Sequence, residues 1–184
     1  MATEILRKAT QTVDKFEVGD QLAVTFPDRE YTATAIQLVG DGEAALALLD
    51  DFLDEPYPMN REVGTESGYE ASDARKHLQE IAEQLPEDFK AKLIPFENGD
   101  LLRLLTSAEM TGEGKNWNEA DGQIEWMKDR RHRIATRKGN EYECGWTATP
   151  VSGVNFAIVG NNGSANNYYA GHSFGIRPAF QIKA

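Results

Sequence analysis

The side chains best equipped for chemistry in this sequence are few, and they do not fall into a familiar catalytic spacing. Cys144 is the single cysteine, and nucleophilic catalysis there would need a base beside it to take the thiol proton; a half-buried structural cysteine is the simpler expectation. Ser72, Asp73 and His77 share one short stretch, but a helix aligns residues three or four apart, and Ser72 and His77 are five apart. Asp50 and Asp51 with Asp54 and Glu55 offer carboxylates for a cation but lack the alternating ligands of a calcium loop, and read as solvent-exposed charge. One cysteine with the dispersed His77, His132 and His172 does not make a zinc set. The basic run Lys128, Arg130, Arg131, Arg133, Arg137 and Lys138 could grip phosphate. Glu125, Asp129, Glu141 and Glu143 flank it, which predicts an ion-paired, solvated face. No phosphate-cradling glycine loop and no dinucleotide fingerprint is present.

A different chemistry is concentrated near the C-terminus. Of the 10 asparagines, Asn155, Asn161, Asn162, Asn166 and Asn167 lie within one short segment, followed by Tyr168, Tyr169, His172 and Ser173. Asn and Gly tolerate positive φ and favour turns, so a plain surface loop is one reading. Tyr, Asn, Ser and Gly together are also the composition of recognition loops, where rigid rings supply area and small amides supply adaptable hydrogen bonds. Trp146, next to Gly145, reads by default as core.

The charge sharpens that contrast. The 184 residues carry 19 Lys+Arg against 30 Asp+Glu, a net charge of −11. Every carboxylate lies at or before Glu143, and beyond it the charged residues are Arg177 and Lys183. The excess acid argues against a nucleic-acid surface. No apolar run is long enough for a membrane helix, and the first residues lack the apolar stretch of a secretory signal. A lone cysteine fits a reducing compartment. The length suits one domain with a substantial core.

The elements that must position these residues follow from periodicity. Residues 1–16 read as an N-terminal arm. Residues 20–26 alternate Leu22, Val24 and Phe26 as a strand, and Tyr31 to Val39 reads as its partner. Ala44 to Leu49 suits either a helix or the third strand of a meander. Residues 54–68, with two prolines and two glycines, read as a loop. Ser72 is a natural cap for a helix over 73–84 with Ala74, Leu78, Ile81, Ala82 and Leu85 on one face. Pro86 restarts a short helix at 87–92. Leu101 to Leu105 reads as a brief buried strand, Ser107 as the cap of a helical turn, 111–122 as a polar loop, and Ile124 as the start of a helix. The last forty or so residues read as β-structure. Pro178 is expected to confine the final strand to an edge or a bulge.

These landmarks, in this order, resemble an uncharacterised bacterial and phage domain family. Ser72-Asp-Ala-Arg-Lys-His-Leu-Gln is similar to its S-x-x-R-x-x-L-N helix, and Leu101-Leu-Arg-Leu-Leu-Thr-Ser-Ala-Glu-Met to its L-x-L-L-S-x-x-E strand and cap. Gly145-Trp-Thr-Ala-Thr-Pro stands where that family has W-W-L-R-S-P, and Gly175-Ile-Arg-Pro-Ala-Phe matches its closing G-V-R-P-A. The resemblance implies an α+β fold of C-type-lectin-like type over 17–184, related to formylglycine-generating enzymes. It implies an N-terminal strand meander, two or three helices and an irregular β-rich C-terminal part. The tail is similar to the diversified cassette of the variable proteins of diversity-generating retroelements, in which adenine mutagenesis turns Asn codons into those for Tyr, His, Ser and Asp.

That resemblance makes 144–184 a variable binding region. It places ligand contacts at Asn155, Asn161, Asn162, Ser164, Asn166, Asn167, Tyr168, Tyr169, His172 and Ser173, with Trp146 beside them, and makes Gly175, Ile176, Arg177, Pro178 and Phe180 scaffold. The single cysteine argues against formylglycine-generating activity, and the absence of E-P-N, Q-P-D and W-N-D motifs argues against calcium-mediated sugar binding. The expectation is a binding protein and not an enzyme, without cofactor, metal, nucleic-acid partner or membrane insertion. Its partner would be a protein or glycan receptor on a cell surface, its setting a virion or the cytoplasm, and related proteins form homo-oligomers. The alternatives are a structural or assembly domain of a phage or bacterial protein, and an enzyme on the same scaffold.

Overall fold

The computed structural model describes residues 14–62, 68–113 and 122–184. Most of the expected N-terminal arm and of the 111–122 loop, and part of the 54–68 loop, lie outside the described residues. The first strands are β1 (Gln21–Thr25), β2 (Glu30–Val39), β3 (Ala44–Leu49) and the short β4 (Tyr57–Pro58). Helices α1 (Asp73–Glu83) and α2 (Glu87–Lys90) follow, then β5 (Leu93–Ile94) and α3 (Ser107–Thr111). The C-terminal part holds β6 (Ala135–Thr136), β7 (Tyr142–Glu143), β8 (Gly145–Ser152), β9 (Asn155–Val159), β10 (Ala165–Tyr169), β11 (Ser173–Phe174) and β12 (Ala179–Lys183). The protein is α+β, and every pairing between these strands is antiparallel.

The main sheet has the order β1-β2-β3-β12-β5. Each residue of β3 is buried, and the two faces of the strand feed two different cores. Ala45, Ala47 and Leu49 enter the larger one, with Phe26, Leu78, Phe156 and Phe180. Leu46 and Leu48 enter the smaller one, with Ile36, Met110, Met127 and Val159. A strand covered on both sides has no polar alternation, which is why Ala44 to Leu49 matches either template as a sequence. In β2 the pairing shifts between Ala35 and Gln37. Around this bulge Ala33 and Ala35 face the larger core while Ile36 faces the smaller.

Helix α1 begins where Ser72 accepts a hydrogen bond from the Arg75 amide at 3.1 Å, and it buries Ala74, Leu78 and Ala82. Arg75 clasps the carboxylate of Asp100 through Nε at 2.7 Å and Nη2 at 2.9 Å, tying the helix to the chain beyond β5.

Four local expectations need correction. Leu101 to Leu105 forms no strand beyond one bridge between Arg103 and Ala179; the Leu104 amide instead donates to the Tyr69 hydroxyl at 3.1 Å. The cap of α3 is Thr106, in a reciprocal capping box with Glu109, and Ser107 is the first helical residue, fully buried. Glu125–Lys128 closes as a 3-10 turn instead of opening an α-helix. Finally, β12 lies inside the sheet, between β3 and β5. Pro178 sits just ahead of it, where a missing amide costs no ladder bond, and its carbonyl accepts from Leu49 at 3.1 Å. No helix among the described residues is long and apolar enough to cross a membrane.

Candidate functional site

The second sheet, β10-β9-β8, carries the Asn/Tyr-rich segment. Its middle strand β9 buries Phe156, Ala157, Ile158 and Val159, so it anchors the sheet to both cores. Strand β10 lies at the edge and is the partly exposed layer over that anchor. Asn166 pairs with Ile158 and Tyr168 with Phe156, while Asn167 pairs with Ala157 and Tyr169 with Asn155. Because side chains alternate, the segment divides between two faces. Asn166 and Tyr168 share one face. Asn167, Tyr169 and Asn155 share the other, where the Asn155 amide donates to Asn167 Oδ1 at 2.9 Å.

The turn joining β9 to β10 is fixed by its own side chains. Asn162 Oδ1 accepts from the Ser164 amide at 3.0 Å and from the Ser164 hydroxyl at 2.5 Å, an Asx turn. Gly163 has φ of 79°, and a Cβ there would lie 2.7 Å from Arg130 Cγ and 2.8 Å from its carbonyl oxygen. The hairpin tip is therefore seated against the basic segment. Asn161 and Asn162 are exposed at that tip.

Past β10 the chain turns through His172 into β11, and the aromatic rings converge. Tyr168 and Tyr169 are 42% and 47% exposed. Tyr168 packs edge-on against Phe174 at 5.3 Å and lies 4.9 Å from His172, which in turn is 4.4 Å from Phe174. Tyr169 lies 5.1 Å from Tyr168 and 5.8 Å from His172. Beneath them Trp146 meets Phe174 at 5.1 Å, is only 4% exposed, and donates its indole N–H to the Tyr57 carbonyl at 2.9 Å. Trp146 thus supports the surface from below and presents almost no area of its own.

Phe174 and Tyr57 carry no signal in the sequence. Phe174 connects Trp146 to the exposed rings. Its strand β11 pairs with β4, setting Phe174 opposite Tyr57. Tyr57 stacks in parallel on His77 at 4.1 Å and lies 5.2 Å from the Arg61 guanidinium. Burial holds the His77 imidazole below the usual histidine range, the Glu80 charge opposing it. The pairing of β4 with β11, with the Trp146–Tyr57 hydrogen bond, brings these groups beside the tail.

The other candidates are occupied structurally. Asp51 accepts from Thr136 at 2.9 Å, Asp54 pairs with Arg29 and Lys138, and Asp50 accepts from Thr34 at 2.6 Å. Asp51 and Asp54 both reach Arg29, and no metal-binding cluster occurs among the described residues. The basic run is largely ion-paired: Lys128 with Glu125, Arg131 with Asp129 and Arg137 with Glu143. Cys144 forms no disulfide. Gly145 and Gly175 enclose the Phe52 ring, since a Cβ on either would fall 2.5 Å from a ring carbon; Gly145 is glycine because Phe52 fills the space. No protein-family model matches the chain, and no characterised protein or solved structure is detectably similar to it.

Proposed function

We propose that this is a ligand-binding protein of C-type-lectin-like fold, similar to the variable proteins of diversity-generating retroelements, that engages a protein or glycan receptor on a cell surface through the β9–β10 hairpin and the following turn. The observation that carries the reading is the placement of Tyr168 and Tyr169, two large half-exposed rings on an edge strand paired with β9, which is buried from Phe156 to Val159. Exposed aromatic area is favourable to cover, and Tyr and Trp dominate the energetics of recognition surfaces. The surrounding Asn and Ser groups add neutral hydrogen-bonding partners without the desolvation penalty of a carboxylate. Side chains on an outer strand can also be exchanged without disturbing the core. Such a protein would act as a virion component or in the cytoplasm.

The gene tests the reading directly. Codons at Asn155, Asn161, Asn162, Ser164, Asn166, Asn167, Tyr168, Tyr169, His172 and Ser173 should derive from AAC, and a near-copy of the 3′ end should lie beside a reverse-transcriptase gene. A genome without such a repeat removes the variable-protein reading. Labelled protein on a glycan array and on intact bacterial cells separates a glycan from a protein receptor.

A further inference from the structure

A cavity of about 310 Å³, large enough for a small metabolite, opens between β2, β3 and the 126–134 segment. Its walls include Thr34, Asp50, Trp126, His132, Ile134 and Arg177, none of them in the hairpin described above. Trp126 and His132 stack in parallel at 4.0 Å, and His132 Nδ1 is held by the Trp126 carbonyl at 2.7 Å, so this wall is rigid.

Two opposite charges face this space without neutralising one another. The Arg177 guanidinium donates from Nε to the Leu49 carbonyl at 2.6 Å, and from Nη1 to the carbonyls of His132 at 3.0 Å and Arg133 at 3.3 Å. Among the described residues it has no carboxylate within ion-pairing distance and its Nη2 makes no hydrogen bond. Arg177 itself lines the cavity, with Nη2 left over after these carbonyl bonds. Asp50 accepts from Thr34 through Oδ1 at 2.6 Å, and its other oxygen has no partner among the described residues. Burial draws the Arg177 pKa down to about 10, with Asp50 and Asp51 opposing, so the group is still a cation at neutral pH. Arg131 also lines the cavity, but its charge is matched by Asp129 at 2.6 Å.

A lone buried guanidinium is costly, and fixed backbone carbonyls compensate it only in part. A purely anionic ligand would meet repulsion from Asp50, and a purely cationic one from Arg177. We propose that the cavity binds a small zwitterion of the amino-carboxylate class. Its carboxylate takes Arg177 Nη2, its ammonium takes the open oxygen of Asp50, and its apolar part lies against Ile36, Leu48 and Ile134. The site is independent of the receptor surface.

The test is thermal shift and calorimetry on the full chain with the common α-amino acids, their N-acetyl and carboxamide forms, acetate and inorganic phosphate. At least one free amino acid should raise the melting temperature and bind, and neither blocked form should. Asp50→Asn keeps an oxygen for Thr34 and should weaken binding about tenfold or more, the loss of one charge-assisted hydrogen bond. Tyr168→Ala should leave amino-acid binding unchanged, which separates this site from the receptor surface. No shift with any amino acid overturns the proposal, as does equal binding of the blocked forms, of acetate or of phosphate. The blocked forms are tested on the unaltered chain, so the outcome stands even where Asp50→Asn does not fold.

Discussion

Phe174 stands opposite Tyr57 across the β11–β4 pair, and this single register joins two surfaces distant in sequence. Phe174 reaches Trp146, Tyr168 and His172, while Tyr57 reaches His77 and Arg61. Tyr168 thus rests on a ring whose own position is set by a backbone pairing, and Tyr169 reaches that ring only through Tyr168 and His172.

Receptor binding and stability should therefore separate by position. Tyr168→Ala combined with Tyr169→Ala should abolish array or cell binding and leave the melting temperature nearly unchanged. The Tyr168–Phe174 contact itself is worth only about 1 kcal/mol. Phe174→Ala, which strips support from Trp146, should cost about 2 kcal/mol, some half of the loss for a fully buried phenyl ring. Urea melts of the variants beside binding measurements check this. A large loss of stability from the double tyrosine variant would show those rings to be core.

Gly145→Ala and Gly175→Ala should each destabilise by about 1–3 kcal/mol, because the added methyl overlaps the Phe52 ring. Adding Phe52→Ala should recover part of the loss caused by Gly145→Ala, giving a non-additive cycle in denaturant titrations. Simple additivity would mean the ring is not the obstacle.

Acid should weaken the fold through two clasped carboxylates. Burial works against the charge of Asp100, but hydrogen bonds from Arg75, Gln79 and Asn98 and the Arg75 charge hold its pKa below the usual range. Burial likewise opposes Glu109, and Arg103 with the Thr106 cap outweighs it. Groups with a depressed folded pKa contribute stability that is full above the unfolded value and is lost as pH falls through the folded one. The melting temperature should hold at neutral pH and fall from about pH 4 downward. Asp100→Asn should be less stable at pH 7 and show a shallower decline. An unchanged pH profile in that variant would remove Asp100 from this account.

The meander and α1 were legible because their signals are local: alternation in β1, and an apolar stripe behind Ser72 in α1. The strand character of Ala44 to Leu49 was not, since burial on both faces erases alternation. Pro178 misled because the proline rule applies to positions within a ladder, and it stands one residue outside. Leu101 to Leu105 has the composition of a strand, but its amides find partners such as the Tyr69 hydroxyl, which no window of sequence contains. The tail's residue types marked a surface, yet only the fold reveals that the Tyr168 and Tyr169 rings meet 5.1 Å apart beside His172. Arg177 and Asp50 read as scaffold and as solvated acid because their shared cavity is assembled from segments far apart in the chain.

The seating of Gly163 against Arg130, together with the Asn162–Ser164 turn, also bears on thermodynamics. A glycine- and asparagine-rich tip would ordinarily lose conformational entropy on meeting a partner. Here the chain surrenders most of that freedom when it folds, so association should carry a small ordering penalty. Changes of side chain along β10 would then alter which partner is held, while the stiffness of the blade that presents them stays constant.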